Sequence, residues 1–384
     1  MKKLYIHIGT PKTGTTSLQT FCSKNQELLN SKGYVFPPCP YSYPGVSRER
    51  NNGRFLVGSI RNDDGQRNDE AEKHVFLEGM EKIKELFHKY NAVILSDEGI
   101  WRTMGVQKRN LWKDLKQEAD AGGYEVKVIV YLRRQDKFIS SLWNQNIKKL
   151  RGTNNLGEER FEDYLDKINK ESRLDYYAKL ERIAAVFGKE HIIVRRFEKG
   201  SFYGESIYFD FLYAIGITDA NDFSIPDITQ NHGLYGNTHE IKRILNGLPQ
   251  MQEIGNQNFF REVLAKCSEL SKKNYPCEMF SKEEAQKFMA EYEEGNQRIV
   301  KEYLNENETA LFHEEFKNVA KWEPDNPYMH EDIIRFIGIC SICLANENDE
   351  LRQEIKKFRQ ELNSIKHPIW SISVKILKKI KNLM

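Results

Sequence analysis

The hydrophobic positions of this chain fall into short continuous runs separated by long amphipathic segments. Apolar runs occupy residues 4–8, 92–96, 126–132 and 191–194, and uninterrupted runs are typical of parallel strands that are buried on both faces. Apolar residues at helical spacing predict helices near 15–31, 70–90, 108–121, 136–150, 161–187 and 204–215. Strands that alternate with helices predict an α/β fold, with a parallel sheet and helices on both of its faces.

The first apolar run leads into a loop bounded by two glycines. Residues 9–17 read GTPKTGTTS, and a helical pattern follows. Such a loop turns successive backbone N–H groups inward, and the helix N-terminus adds partial positive charge, so both favour a bound phosphate. Gly9 and Gly14 match the glycines of the P-loop pattern GxxxxGK[ST]. However, Thr15 stands where that pattern has lysine, and the lysine of this chain comes earlier, at Lys12.

The displaced lysine carries a resemblance to a known family. The run PKTGTT at residues 11–16 resembles the 5′-phosphosulfate loop of sulfotransferases that use 3′-phosphoadenosine 5′-phosphosulfate (PAPS) as co-substrate. The resemblance implies a P-loop NTPase-like parallel sheet and a catalytic role for Lys12. It also implies that one stretch of residues binds the co-substrate, namely Pro11, Lys12, Thr13, Gly14, Thr15, Thr16 and Ser17.

A second motif follows the apolar run 126–132. Residues 133–145 read RRQDKFISSLWNQ, which is most similar to bacterial members of the family. Sulfotransferases of this family carry an arginine at a strand end and a serine eight residues later, and both bind the 3′-phosphate. Arg133 and Ser141 have that spacing, and Ser140 stays a second candidate. A guanidinium fork suits a dianionic phosphate, and a hydroxyl adds a donor beside it.

A third motif supplies a carboxylate at the end of the run 92–96. An acceptor hydroxyl must lose its proton as it attacks sulfur, and a nearby carboxylate can take that proton. Glu98 fits the position of the glutamate in carbohydrate sulfotransferases. The same stretch also resembles a Walker B strand, in which Asp97 would hold Mg²⁺ in a P-loop kinase that uses ATP. The position of Lys12 favours the sulfotransferase interpretation, for which no metal is expected.

Three other stretches offer weaker candidates. Arg195 and Arg196 end a short strand and could contact nucleotide or acceptor, or form surface ion pairs. Asn231 and His232 fall where relatives close a loop over the nucleotide. Residues 36–45 and the arginines after them predict either a loop that binds acidic sugars or a solvated loop. These arginines are Arg48, Arg50, Arg54, Arg61 and Arg67.

The domain organisation follows from the resemblance and from the C-terminal patterns. We expect a sulfotransferase domain over residues 1–345, with a nucleotide-binding core at about 1–240 and a helical cap at about 238–345, followed by a C-terminal segment at 346–384 with a heptad stretch and a basic amphipathic helix. Residues 351–365 place apolar side chains at the 4-3-4-3 spacing of a coiled coil, which predicts a homo-oligomer contact. Residues 369–384 combine an apolar face with lysines and no acid. This pattern suits a helix on an anionic membrane surface or one packed on the protein's own body.

Composition narrows the expected function. Lys and Arg number 58 against 56 Asp and Glu, a net charge of +2, so no nucleic-acid partner is expected. Three residues precede the first run, so we expect no signal peptide, and six cysteines fit a reducing cytosol. The sequence thus predicts a cytoplasmic bacterial enzyme, in peripheral contact with the membrane at most, that transfers the sulfuryl group of PAPS to a hydroxyl by in-line displacement. By family analogy the acceptor is a sugar of a surface polysaccharide or glycolipid. A non-catalytic domain that binds glycans or partners is the third interpretation.

Overall fold

A computed structural model describes residues 1–103, 110–149, 157–170, 174–226, 233–304, 307, 309–366 and 381. Its strands are β1 (Lys3–His7), β2 (Tyr34–Val35), β3 (Ala92–Ser96), β4 (Glu125–Leu132), β5 (Ile192–Arg196), β6 (Cys277–Glu278) and β7 (Ala320–Lys321). Within the described residues, the first five strands form one parallel sheet in the order β2-β3-β1-β4-β5. The strand that precedes the glycine loop therefore lies at the centre of the sheet.

The helices follow the strands in the predicted alternation. They are α1 (Thr15–Lys24), α2 (Gln26–Ser31), α3 (Asp69–Leu86), α4 (Gly99–Thr103), α5 (Leu111–Gly122), α6 (Gln135–Lys149), α7 (Phe161–Lys170), α8 (Tyr176–Phe187), α9 (Ile207–Ala214), α10 (Asn237–Asn246), α11 (Ile254–Asn274), α12 (Lys282–Ala290), α13 (Glu293–Ile299) and α14 (Met329–Lys366). Short 3₁₀ turns occur at Arg54–Leu56, Lys189–His191, Lys199–Ser201, Tyr203–Glu205 and Pro249–Gln252, and a π-helical turn at Val300–Leu304.

The sheet is buried on both faces, because alternate residues of its central strands enter two separate apolar cores. On one face, Leu4 of β1 and Val128 of β4 pack with side chains of α3, α5 and α8. On the other face, Tyr5 and Ile129 pack with side chains of α1, α2 and α9. Both faces are therefore covered by helices, and the predicted fold class, a parallel α/β sheet between helical layers, is confirmed.

Several elements differ from the sequence predictions. The predicted helix over 15–31 is divided into α1 and α2 at Asn25, whose side-chain amide donates to the carbonyl of Phe21 at 2.9 Å. The predicted helix over 161–187 is likewise divided into α7 and α8. Asp175 begins α8, because its carboxylate accepts a hydrogen bond from the Ala178 N–H at 2.9 Å. The short strands β2, β6 and β7 and the short helix α4 were not predicted.

The chain divides into two compact units. The first comprises Met1–Asn146, Arg151–His232 and Glu278–Lys321, and contains the parallel sheet. The second comprises Ile147–Leu150, Gly233–Cys277 and Trp322–Met384. Inside the second unit, Asp332 of α14 accepts hydrogen bonds from Asn237 at 2.9 Å and from Ser271 at 2.8 Å, which ties α10 and α11 to α14.

No helix in the described part of the chain is long and apolar enough to cross a membrane. The basic segment predicted at 369–384 lies outside the described residues except for Lys381. Its membrane contact stays a prediction.

Candidate functional site

The loop between β1 and α1 adopts a left-handed backbone at three positions. Gly9 has φ 78°, Lys12 φ 70° and Gly14 φ 73°, and a positive φ at a lysine is uncommon. The loop is fixed to β4, because the N–H of Thr10 donates to the carbonyl of Tyr131 at 2.9 Å. It is also closed on itself, because the Thr13 hydroxyl donates to the carbonyl of Thr10 at 2.5 Å. Two hydrogen bonds thus hold the turn that the two glycines predicted.

The start of α1 has the features of an anion site. Gly14 precedes the helix without a side-chain cap, and no acidic residue occupies the first turn, so the positive end of the helix is not neutralised from within. The Thr15 hydroxyl is buried, and among the residues that the structure describes it finds no hydrogen-bond partner. A buried hydroxyl without a partner costs about 1–3 kcal/mol. A ligand oxygen at this position would satisfy it.

The predicted loop residues are together at this point, but their exposure differs. Pro11, Thr13 and Thr15 are buried, Lys12, Gly14 and Ser17 are half-buried, and Thr16 is exposed. A Cβ atom added to Gly9 would lie 3.4 Å from the Thr15 hydroxyl oxygen and 3.4 Å from the Cβ of Glu98. A side chain at position 9 would therefore crowd both the Thr15 hydroxyl and the base of the Glu98 side chain.

Arg133 reaches the loop from the end of β4. Its Nη1 donates to the carbonyl of Lys12 at 3.1 Å, and its own carbonyl accepts from the Tyr176 hydroxyl at 2.7 Å. Burial lowers the pKa of its guanidinium from the usual value. The structure thus joins two of the sequence motifs, since the arginine of the second motif bonds to the backbone of the first.

The two candidate serines of α6 differ in their surroundings. The Ser140 hydroxyl donates to the carbonyl of Asp136 at 2.8 Å, one turn earlier in the same helix. Its proton is therefore already engaged within the helix. Ser141 is half-buried on the same helix. The neighbouring Arg134 has a structural role, because its guanidinium makes two hydrogen bonds to Asp136, at 2.8 and 2.9 Å, and lies 4.3 Å from the centre of the Phe316 ring.

The two acids that follow β3 are placed differently. Asp97 is 2% exposed; it accepts from the Gly99 N–H at 2.6 Å and lies 3.7 Å from Nη1 of Arg54. Burial raises the pKa of its carboxyl group, and the charge of Arg54 opposes that rise. Glu98 is 28% exposed, and its carboxylate lies 3.9 Å from Arg102. Asp97 is therefore engaged inside the protein, whereas Glu98 is half-buried beside the loop.

Asn52 is a site residue that the sequence analysis missed. It is fully buried; its amide donates to the carbonyl of Ile94 at 2.8 Å and accepts from the N–H of Ser96 at 2.7 Å. β2 pairs with only Ala92 and Val93 of β3. Beyond these two residues, the side chain of Asn52 makes the hydrogen bonds to β3 that a neighbouring strand would otherwise make. This contact holds the backbone just before Asp97 and Glu98, and it brings Arg54 to Asp97. No sequence signal marks it, because the partners stand more than forty positions apart.

A cavity of about 780 Å³ borders Arg133. The ring of Phe197 lines it and lies 5.8 Å from the Arg133 guanidinium. The same ring would lie 3.4 Å from a Cβ added to Gly14, so the cavity and the loop share a wall. Basic side chains outnumber acidic ones in the lining, which is Arg133, Arg134, Lys137, Phe197, Glu198, Lys199, Gly200, Ser201, Glu278, Phe312, His313, Glu314 and Lys317.

The remaining candidates make structural contacts or lie outside the description. Arg195 forms an ion pair with the buried Asp210, to which it donates at 2.9 Å from Nε, and Tyr131 donates to the same carboxylate at 2.7 Å. Arg196 donates to the carbonyl of Leu311 at 2.8 Å. The positions 231 and 232 lie outside the described residues. Over the described ranges, the structure contains no cluster of three or more His, Cys, Asp or Glu side chains arranged to hold a metal ion.

Comparisons with known proteins give limited similarity. No protein-family model matches the chain. A protein of Archaeoglobus fulgidus, described as uncharacterized, is 28% identical over 197 residues, which is 50% of this chain and 50% of that protein. The chain thus spans about half the length of the curated relative it matches.

The solved structures include a similar chain, a sulfotransferase from Alicyclobacillus acidocaldarius. The match has 20% identity and a TM-score of 0.33, and covers 60% of this chain and 87% of that one. A superposition at this level carries no argument about function. A functional assignment must therefore rest on the residues of the site.

Proposed function

We propose that this protein is a PAPS-dependent sulfotransferase that transfers a sulfuryl group to a hydroxyl, in a sugar of a polysaccharide or glycolipid. The buried Thr15 hydroxyl is the observation that carries the proposal. It stands without a described partner at a helix start with neither a capping side chain nor an acid. A group of this kind is kept at a cost in stability, which is expected where a ligand satisfies it.

Lys12 and the loop suit the 5′-phosphosulfate end of the donor. The lysine precedes Gly14, as in the sulfotransferase motif, and its left-handed backbone fixes the point from which its side chain leaves the loop. An ammonium group near the bridging oxygen offsets the charge that develops as the phosphate leaves. Backbone N–H groups at the start of α1 and the Thr15 hydroxyl supply the other donors.

Arg133 suits the 3′-phosphate that distinguishes this donor from other adenine nucleotides. Within the described residues, its guanidinium makes one hydrogen bond, to the carbonyl of Lys12, and a guanidinium has five N–H donors. Binding at Arg133 would therefore be coupled to the position of the loop. The adjoining cavity, with Phe197 on its wall, is large enough for a nucleoside, since ligand cavities span roughly 300–1,000 Å³.

The environments of the two acids favour sulfuryl transfer over the kinase alternative. A Walker B aspartate must turn its carboxylate toward a metal ion. Here the Asp97 carboxylate accepts from Gly99 and faces the cationic Arg54, which opposes a second cation at that place. Glu98 is partly exposed beside the loop, where an acceptor can reach it. We therefore assign Glu98 as the base.

The proposed reaction is a single in-line displacement. Glu98 takes the proton of the acceptor hydroxyl, and a bond forms between the acceptor oxygen and sulfur. The bond from sulfur to the 5′-phosphate oxygen breaks, and its electron pair stays on that oxygen, next to Lys12. The products are a sulfate ester and 3′-phosphoadenosine 5′-phosphate (PAP). Positioning and charge stabilisation supply most of the rate in transfers of this kind.

Transfer of ³⁵S from labelled PAPS to a mixture of carbohydrate acceptors tests the proposal. We expect labelled sugar esters in the presence of a metal chelator, and loss of labelling in Lys12→Met. Lys82→Met is the matched control, because Lys82 is an exposed lysine of α3, paired with Glu78 at 2.5 Å. Phosphorylation of acceptors from labelled ATP, abolished by the chelator, would instead establish the kinase. Failure to use either donor would leave a non-catalytic binding domain.

A further inference from the structure

The long helix α14 carries an apolar stripe that no described residue covers. Every residue from 344 to 363 is exposed. The stripe begins further back than the sequence analysis recognised, and its apolar side chains are between 48% and 74% exposed: Ile334, Ile337, Leu344, Leu351, Ile355, Phe358, Leu362 and Ile365. A stripe of this length on a solvated helix is typical of a helix that has a partner.

The spacing of the stripe is that of a coiled coil. In a heptad labelled a to g, the a positions are Ile334, Ser341, Asn348, Ile355 and Leu362, and the d positions are Ile337, Leu344, Leu351, Phe358 and Ile365. Isoleucine occupies two of the five a positions and leucine two of the five d positions, but no heptad combines the two, so these side chains alone do not set the number of strands. A single asparagine at a favours one register and a dimer.

The second unit leaves this stripe open. Helix α11 packs on the opposite side of α14, where Phe336 lies 6.2 Å from Phe260 between ring centres, and Ser271 donates to Asp332. Lys266 of α11 reaches the sulfur of Cys343 at 3.7 Å. These α14 residues occupy c and f positions, away from the a and d stripe. The contact with α11 therefore does not compete with a partner on the stripe.

Flanking charges identify the partner as a second copy of this chain. Over the last three heptads the g positions are acidic, and the e positions that follow them by five residues are basic: Glu347 and Arg352, Glu354 and Arg359, Glu361 and Lys366. In a parallel dimer, each g residue meets the e residue of the next heptad on the other helix. All three pairs then attract on both sides of the seam. An antiparallel pair would place Glu against Glu and Arg against Arg.

We propose that α14 forms a parallel two-stranded coiled coil with α14 of a second copy, through residues 334–365. The charges complement each other only in the parallel arrangement, and the stripe is long enough for more than four heptads. The proposal does not depend on the function proposed above, because it uses no residue of the candidate active site.

Sedimentation equilibrium of the full chain tests the dimer. We expect a mass about twice the 45.1 kDa of one chain, and a single-chain mass for the double variant Ile355→Lys, Leu362→Lys. The matched control is Gln353→Lys, Gln360→Lys, which adds the same charges at f positions and should remain dimeric. Both pairs are exposed in one chain, so neither change disturbs its packing. A single-chain mass for the unaltered protein, a trimer, or a dimer insensitive to the Ile355 and Leu362 changes would each overturn the proposal.

An oxidation experiment tests the parallel orientation. In Asn348→Cys the two introduced thiols would face each other across the seam, so mild oxidation should link the chains. In Gln353→Cys the thiols would point away from the seam, and linkage should stay at the level of the unaltered chain with its own Cys340 and Cys343. Reversal of Glu354 and Glu361 to arginine should weaken the dimer by about tenfold or more. A dimer that is strengthened by the reversal, or that fails to link in the Asn348→Cys variant, would contradict the parallel arrangement.

Discussion

Replacement of Thr15 by valine should move stability and ligand affinity in opposite directions. Valine has nearly the shape of threonine and a similar helix propensity, but it lacks the hydroxyl that is buried without a described partner. Burial of such a group costs about 1–3 kcal/mol. We therefore expect Thr15→Val to raise the free energy of unfolding of the ligand-free protein by about 1 kcal/mol.

The same change should weaken binding of a phosphate at the loop. A hydrogen bond to a charged group contributes about 1.5–3 kcal/mol, so the dissociation constant for PAP should rise by about ten- to a hundredfold. Thr15→Ser keeps the hydroxyl and should retain most of the affinity. Thr20→Val is the matched control on the same helix, because the Thr20 hydroxyl donates to the carbonyl of Thr16 instead of facing the loop.

Urea denaturation and calorimetric titration of the same preparations measure the two effects. An increase in stability with a loss of affinity would mark Thr15 as a ligand-binding residue. If Thr15→Val destabilised the protein and bound PAP like the unaltered chain, the hydroxyl would have a structural role, and the anion site would have to be placed elsewhere.

Three further predictions concern residues around the loop. Glu98→Gln should lower kcat by at least about a hundredfold, as expected for loss of a general base, and leave PAP affinity unchanged in calorimetry; equal losses in both would mean that Glu98 binds the donor. Asn52→Ala should lower the free energy of unfolding by about 3 kcal/mol, because two buried backbone groups lose their hydrogen-bond partner. If Asn51→Ala lowered the free energy of unfolding by a similar amount, a specific role of Asn52 would be refuted. Burial lowers the pKa of His7 to about 3, below the roughly 6.5 of an unfolded histidine, so its contribution to stability is complete above pH 6.5 and is lost as the pH falls. Urea denaturation should therefore show that the free energy of unfolding falls by about 2 kcal/mol between pH 6.5 and pH 5. This fall should be absent in His7→Phe and still present in His88→Phe, a control at an exposed site. An identical pH dependence in all three proteins would contradict the role of His7.

The buried strands could be predicted from the sequence because their signal is local. The prediction for β3 matches the structure at both ends, and those for β1 and β4 agree within one residue, since strands covered on both faces are apolar at most of their positions. β2 has only two residues, too few to display a period. The boundary between α7 and α8 was missed although Asp175 is a helix-start signal.

The sequence allowed predictions only for those parts of the candidate site that lie in recognisable motifs. The loop residues and Arg133 were proposed from their resemblance to sulfotransferase motifs, and the hydrogen bond from Arg133 to the Lys12 carbonyl places these two motifs side by side. The contact of Arg54 with Asp97 and the role of Asn52 depend on how the segment after residue 36 folds against β3. No pattern in the sequence encodes such long-range contacts. For the same reason the extent of the α14 stripe became visible only when its exposure was known.

Calorimetric titration with PAP, 5′-AMP and ATP tests the central claim most directly. The account predicts that PAP binds without added metal, that 5′-AMP binds at least about tenfold more weakly because it lacks the 3′-phosphate, and that Arg133→Ala removes this difference. Equal affinity for PAP and 5′-AMP, or a preference for ATP that requires Mg²⁺, would contradict the assignment of Arg133 and with it the sulfotransferase proposal.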